Sequence, residues 1–323
     1  MLKRTCASEL NIKRLEFTLT TKCNSECIYC QAEASQHKNE VMDVEDAHNY
    51  LTETCRVSKL ESFMVFGGEP MLFPSRAFSI LDRARELNIP KIDMLTNGIW
   101  GKSPRRAKDL ALRLKQSGLN TLGVSVDAFH LQFIPLEYPR NAALASVRAG
   151  IEQVNWNVAV VESLNGKNKY DRETARILKT LNPVGIEAHI HKVLPVGRAI
   201  INLKQYVKKE SLQGPCTSDP ILENTLTHPE CITIEPSGRV DICWNLAIGN
   251  AKEKLLSQII REYSWQENPT IRTLVEEGPM GLVRKAKASG FQFQEDHYLN
   301  KCHLCIEIRK AMNLCKTAEP AEA

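Results

Sequence analysis

Short apolar runs and longer stretches of helical period alternate along residues 14–199. The first run, Leu15-Glu16-Phe17-Thr18-Leu19-Thr20-Thr21, alternates and is rich in β-branched residues, which predicts a strand. Val41–Lys59 has a helical period. Asp43 stands as N-cap, Asp46 at the third helical position, and Ala47, Leu51 and Cys55 fall at i, i+4 and i+8. That spacing puts Cys55 in the core as a small hydrophobe. Ser62–Phe66 reads as the second strand. The alternation continues through helix Ser75–Leu87, strand Lys91–Leu95, helix Pro104–Gln116, strand Thr121–Val126, helix Asn141–Gln153, strand Trp156–Val161, helix Arg172–Leu181 and strand Gly185–Val193. Such alternation predicts βαβ units, a parallel sheet and right-handed crossovers. Trp100 and Trp156 read as core residues.

The strands number six between Arg14 and Ala199, fewer than the eight of a closed α/β barrel. Their C-terminal ends carry polar or glycine-rich tips: the loop Cys23–Cys30, Gly67-Gly68-Glu69-Pro70, Thr96-Asn97-Gly98, Asp127, Glu162-Ser163 and Leu194–Ala199. Barrels of this kind place their chemistry at those ends.

The pattern changes after residue 200. Residues 201–215 are charged and without period, as in a linker. Cys231–Cys243 predicts a hairpin: Ile232-Thr233-Ile234, a turn at Glu235-Pro236-Ser237-Gly238, and a return over Arg239–Ile242. Lys252–Tyr263 and Thr270–Ala288 read as helices, the second interrupted at Gly278-Pro279. The segment after Lys316 reads as a disordered tail.

Composition adds few constraints. Hydrophobic residues make up 43% and charged residues 25%, as in soluble globular proteins, and 323 residues suffice for two domains. The net charge of +4, from 42 basic and 38 acidic residues, is too small an excess to argue for a nucleic-acid partner. No apolar run approaches a membrane span, and residues 1–14 lack a signal-peptide core, so the expectation is a cytoplasmic protein without a membrane partner. Residues 1–13 form a short polar lead-in, with Cys6 as a free thiol and no room for a separate peptide-recognition domain. In such a compartment, eleven cysteines point to metal ligands before disulfides.

Three of these cysteines, Cys23, Cys27 and Cys30, lie at C-x3-C-x2-C spacing just after the first strand. Thiolates this close repel one another unless a metal binds them, and they suit iron–sulfur clusters or zinc. Structural zinc is usually closed by four ligands, whereas three cysteines on a four-iron cluster leave one iron open. Six more cysteines, Cys216, Cys231, Cys243, Cys302, Cys305 and Cys315, fall after residue 215.

The triple-cysteine loop, with aromatic Tyr29 before its last cysteine, resembles the signature of radical SAM enzymes. Gly67-Gly68-Glu69-Pro70, at the end of the second strand, resembles that family's GGE-P motif. The resemblance implies a partial (β/α)6 TIM-like barrel over 14–200. It also implies that Cys23, Cys27 and Cys30 hold a catalytic 4Fe–4S cluster whose open iron chelates S-adenosyl-L-methionine (SAM). Tyr29, Gly67, Gly68 and Glu69 are then cofactor-binding residues, with the last three at the SAM amino group. Ser125 and Asp127 fit the SAM ribose or carboxylate, though Asp127 equally fits a turn cap. Gly197 lies in a segment, Pro195–Ala199, that resembles the sixth-strand stretch touching adenosine through its backbone. His130 fits an acid–base residue near the substrate or a packed histidine. Asn97 fits a substrate contact or a turn with Gly98.

Gly238-x4-Cys243 with Cys302-x2-Cys305 resembles the SPASM/twitch extensions of that family, which carry an auxiliary cluster. The expected ligands of this second 4Fe–4S cluster are Cys216, Cys243, Cys302 and Cys305, with Cys231 as rival for the first place and Cys315 left over. Zinc is the alternative occupant. The implied organisation is a lead-in at 1–13, a core at 14–200, a linker at 201–215, a small cysteine-rich auxiliary domain at 216–316 and a tail at 317–323. The implied activity is reductive cleavage of SAM to a 5′-deoxyadenosyl radical that modifies a peptide, such as a ribosomally synthesised one, or a small molecule. The electron donor would be a protein such as flavodoxin or ferredoxin. Peptide epimerases of this layout keep a hydrogen-donating cysteine directly after the Gly-x4-Cys element, where this chain has Trp244. Net oxidation is therefore expected. The alternatives are an epimerase using Cys231 or Cys315, an RNA-modifying radical SAM enzyme, and a non-enzymatic iron–sulfur or zinc protein.

Overall fold

The computed structural model describes residues 10–218, 224–287 and 290–312; Cys6, Cys315 and the tail at 317–323 lie outside the described residues. Six parallel strands form its first part: β1 (Arg14–Thr20), β2 (Ser62–Gly67), β3 (Lys91–Thr96), β4 (Thr121–Ser125), β5 (Gln153–Val160) and β6 (Ala188–Lys192). The connections carry α1 (Val44–Val57), α2 (Pro74–Glu86), α3 (Pro104–Gln116), α4 (Glu137–Arg148) and α5 (Lys169–Leu181). This is the partial barrel expected from the alternation, with its strand tips along one rim. Buried side chains of both layers fill the core. Phe17 of β1 meets Phe63 of β2 edge-on at 5.0 Å and Tyr50 of α1 at 6.3 Å.

Two boundaries move for identifiable reasons. The helix predicted from Val41 starts at Val44, because the preceding residues are engaged elsewhere. Thr21 N–H donates to the Glu40 carbonyl at 3.1 Å and Met42 N–H to the Leu19 carbonyl at 2.8 Å. Asp43 then caps as expected, accepting from the Glu45 and Asp46 amides. The helix predicted over Asn141–Gln153 runs over Glu137–Arg148 instead. Gly150 at φ +80° breaks it, and Gln153 already pairs in β5. The lead-in is less polar in effect than its composition suggests. Leu10 and Ile12 are buried, and Ile12 N–H donates to Ser58 Oγ at 3.2 Å.

The cysteine-rich part is joined to the barrel through the sheet itself. After a short helix α6 (Ala199–Asn202), strand β7 (Cys231–Ile234) lies parallel beside β1, with Arg14 opposite Cys231. β8 (Arg239–Cys243) returns antiparallel, and β9 (Leu246–Asn250), which the sequence pattern does not reveal, adds a third strand. The strand order is β6-β5-β4-β3-β2-β1-β7-β8-β9. Helices α7 (Leu256–Glu262), α8 (Pro269–Glu276), α9 (Pro279–Lys287) and α10 (Lys301–Ala311) cover this end. The break between α8 and α9 falls at Gly278 (φ +70°) and Pro279, as anticipated. Among the described residues no helix is long and apolar enough to cross a membrane.

Candidate active site

The rim residues converge on the cysteine loop. Cys23 and Cys27 are buried and Cys30 is half-buried. The loop is folded on itself: Cys30 N–H donates to the Cys27 carbonyl at 3.0 Å and Cys23 N–H to the Ser35 carbonyl at 2.9 Å. Burial, with Glu69 and Cys30 nearby, pushes the Cys23 thiol up to about 12. Burial, Asp127 and the other two cysteines push the Cys27 thiol up as well. Thiolates here are unfavourable on their own, and a bound cation centre reverses that balance. The donor set therefore fits a metal cluster.

The glycines of the second tip act on this loop. Gly68 N–H donates to the Thr20 carbonyl at 2.7 Å and Glu69 N–H to the Lys22 carbonyl at 2.9 Å. A Cβ on Gly68 would stand 2.1 Å from the Lys22 carbonyl, and Gly67 sits at φ +138°. The glycines thus bring the backbone of the second tip close against the cysteine loop. Gly68→Ala is expected to displace Lys22 and Cys23 and to lower the iron bound at the loop. An iron content equal to wild type after anaerobic reconstitution would sink this account.

Glu69 is fully buried and accepts from Met71 N–H (2.9 Å), Thr96 Oγ1–H (2.7 Å) and Asn97 N–H (2.7 Å). Burial raises its carboxyl above the ordinary value, against the pull of these donors. A carboxylate has about four lone-pair sites, so one on Oε2 stays open to a further donor. Asn97 serves the turn considered for it and also reaches the cysteine loop. Its Oδ1 accepts from Ile99 N–H at 3.0 Å, while its Nδ2 donates to Asn24 Oδ1 at 3.0 Å and lies 3.7 Å from Cys23 Sγ.

Asp127 is a heavily engaged carboxylate of the rim. It accepts from the Phe129, His130 and Ala159 amides at 2.9–3.1 Å and from His130 Nδ1 at 2.9 Å. Burial opposes its charge, but His130 and these amides hold its carboxyl below the usual range. Its oxygens thus serve as a cap and as the anchor of His130. The His130 ring meets Tyr29 edge-on at 5.6 Å, and Tyr29 packs on Phe129 at 4.9 Å. Tyr29 is thereby a packing support of the loop. Ser125 is buried at the end of β4, opposite Asn157.

The sixth tip clamps the loop from the other side. Gly197 (φ +56°) lies so close that a Cβ would stand 2.6 Å from the Cys30 carbonyl. Arg198 Nε donates to the Cys27 carbonyl at 2.9 Å and its Nη2 to the Ala34 carbonyl at 2.8 Å. Pattern reading missed Arg198, although it stands inside the segment singled out. It also missed His191 on β6, whose environment includes burial, Asp127 and His130, with a net downward push on its pKa. The signal available was the His189-Ile190-His191 alternation.

A second pocket holds Cys216, Cys243, Cys302 and Cys305, with Trp244 and Arg309 in its lining. Cys302 and Cys305 sit in the first turns of α10, whose N-cap Asn300 accepts from His303 N–H at 2.9 Å. Burial and the Cys305, Cys243 and Cys302 thiols push Cys216 upward; burial and Cys305 bring Cys243 to about 11. Cys231 is elsewhere, against Glu16 and Arg14 at the start of β1. His297, His303 and Glu307 converge nearby. Leu299 N–H donates to His303 Nδ1, which leaves the proton on Nε2 to donate to Glu307 at 3.1 Å. That trio is a hydrogen-bonded brace for the start of α10.

A partial parallel barrel whose rim gathers a C-x3-C-x2-C loop defines a class of cluster-bearing enzymes. The model of the Radical SAM superfamily matches residues 17–197, and the chain belongs to that superfamily. Its members use a 4Fe–4S cluster and SAM. Curated relatives include a "Probable GTP 3',8-cyclase" of Methanocaldococcus jannaschii, 29% identical over 119 residues, 37% of this chain and 38% of that one. Another of the same name, from Saccharolobus islandicus, is 25% identical over 206 residues, 60% of this chain and 61% of that one. The chain thus spans between 38% and 61% of the length of these relatives. The solved structure of a tagged "anSMEcpe with bound AdoMet" shares the fold. Its TM-score is 0.54 at 14% identity, and the match covers 94% of this chain and 96% of that one.

Proposed function

We propose that Cys23, Cys27 and Cys30 hold the SAM-binding cluster, that Cys216, Cys243, Cys302 and Cys305 hold an auxiliary 4Fe–4S cluster, and that the enzyme oxidises a small molecule. The observation that carries this is the separate gathering of three cysteines at the barrel rim and of four in the second pocket. Three thiolates leave one iron open to SAM, and four close the auxiliary site. When bound, the first cluster with SAM supplies a 5′-deoxyadenosyl radical for hydrogen abstraction, and the second supplies an electron acceptor. The chain's own part is positional. Glu69 Oε2 accepts from the SAM amino group while Gly67, Gly68, Gly197 and Arg198 hold the loop. His130, fixed by Asp127, faces the same region through Tyr29.

On this reading 14–200 is the core and 216–316 the auxiliary domain, joined through 201–215, with β7 pairing the two into one sheet. The electron donor is a flavodoxin or ferredoxin. A small-molecule substrate is favoured by the names of the curated relatives, which refer to a nucleotide. Epimerisation would need a donor thiol. Of the two considered, Cys231 pairs with the first residue of β1, about 20 Å along the strand from its cysteine loop, and Cys315 lies outside the described residues.

Anaerobic reconstitution tests the proposal. Wild type is expected to hold about eight irons, four per cluster. The Cys23→Ala/Cys27→Ala/Cys30→Ala variant should keep about half and form no 5′-deoxyadenosine. Cys302→Ala/Cys305→Ala should also keep about half, with SAM cleavage retained. Zinc in the second pocket, or full iron in the triple variant, would overturn the reading. An oxidised product is lighter than its substrate by a pair of hydrogens; unchanged mass would exclude net oxidation.

A further inference from the structure

We propose that Arg309 sets the reduction potential of the auxiliary cluster; the inference rests on the reading that Cys216, Cys243, Cys302 and Cys305 hold one. Arg309 lies one turn after Cys305 on α10 and is 1% exposed. Its Nε donates to Cys305 Sγ at 3.3 Å, Nη2 to the Trp244 carbonyl at 2.6 Å, and Nη1 to the Asn245 carbonyl. Trp244 directly follows Cys243. One guanidinium therefore touches the sulfur of one ligand and ties down the backbone beside another.

A buried guanidinium is costly unless negative charge compensates it. The thiolates of the pocket supply compensation of this kind. A cluster with four thiolates gains negative charge on reduction. A fixed cation and an N–H···S bond at a ligand sulfur both favour that more negative state, which raises the potential. Lysine keeps the charge but lacks the planar fork that reaches the sulfur and both carbonyls at once. The sequence signal was the spacing Cys305–Arg309, i to i+4 on a helix.

The test uses the full chain with Cys23→Ala/Cys27→Ala/Cys30→Ala, so that only the auxiliary cluster reports. Arg309→Gln and Arg309→Lys are added singly, iron and zinc are counted, and the midpoint potential is read by EPR-monitored titration. The expected result is retained iron and, for Arg309→Gln, at least a tenfold fall in the reduced-to-oxidised ratio at fixed poise, about 59 mV for a one-electron couple. Arg309→Lys should fall by less. An unchanged potential with iron retained would overturn the proposal. Loss of iron from both variants would reduce Arg309 to a brace of the fold and overturn it equally. A parent without auxiliary iron would instead remove the reading beneath it.

Discussion

Glu69→Gln is expected to weaken SAM binding at least tenfold, the equivalent of about 1.4 kcal/mol, without removing iron from the cysteine loop. The carboxylate takes three donors and keeps one acceptor site on Oε2. Thr96 fixes the direction of these bonds. Its Oγ1 accepts from Gly98 N–H and Trp100 Nε1–H, both at 3.1 Å, so its own proton goes to Glu69. An amide in place of the carboxylate must turn its NH2 either toward Asn97 N–H or toward the other two donors. The first choice blocks the open site as well. The stability cost is roughly 2–3 kcal/mol, one buried donor left unmet beside a lost charge-assisted bond. Calorimetric titration with SAM and a denaturant midpoint on the same protein separate the two effects. Unchanged SAM affinity would remove Glu69 from the binding site and leave it as a tie between the second and third tips.

The barrel was legible because each of its strands is a short apolar run bounded by a polar tip, a pattern that survives errors at the ends. The ends themselves depend on long-range pairing. Glu40 and Met42 bond residues of β1 and its exit, and no local preference encodes that. The same holds for β7. Its hairpin turn is plain in Pro236-Ser237-Gly238, but its place beside β1 rests on Lys13 and Arg14 amides donating to the Glu230 carbonyl at 2.8 and 2.9 Å. β9 follows Cys243 after only a tight turn, with Asn245 at φ +49°, and its Leu-Ala-Ile-Gly-Asn has little alternation to read. α10 is hidden because His303 and Arg309 are buried in it along with Leu304, Ile306 and Ile308, which blurs its apolar period, although Asn300 caps it.

At the site, residue types were legible and their partners were not. The Gly67-Gly68-Glu69 run is plain in the sequence, but only the fold says that Lys22 is what its backbone approaches. That Cys216 and not Cys231 lies beside the other thiols depends on the β1–β7 register, which carries Cys231 to Arg14. Arg198 and Arg309 act through carbonyls that are distant in sequence, although the sulfur that Arg309 touches is only one turn away. Arg198 spans 171 residues to reach Cys27, and Arg309 spans 65 to reach Trp244. A cation whose partners are backbone carbonyls leaves no charge pattern to detect.

Asp127→Asn is expected to cost about 3–5 kcal/mol at neutral pH, the usual loss when one member of a buried, hydrogen-bonded charge site is removed. Three amides and His130 Nδ1 all donate to this carboxylate, so the amide group of asparagine must point its hydrogens at a donor whichever way it turns. The pH dependence has a definite sign. The folded carboxyl lies below its ordinary value because His130 and the amides outweigh burial. Its contribution is therefore fully present above the unfolded pKa of about 3.9 and is lost as pH falls through the lower, folded value. The gap in unfolding free energy between wild type and Asp127→Asn should be constant from about pH 5 upward and should narrow below about pH 4. Urea titrations at several pH values measure it. A gap that stays constant through the acid range would mean that the carboxylate's charge plays no part. The substitution should also free the His130 ring from its place against Tyr29, and with it loosen the cysteine loop. Slower iron incorporation at Cys23, Cys27 and Cys30, with the auxiliary site unaffected, is the expected sign of that coupling.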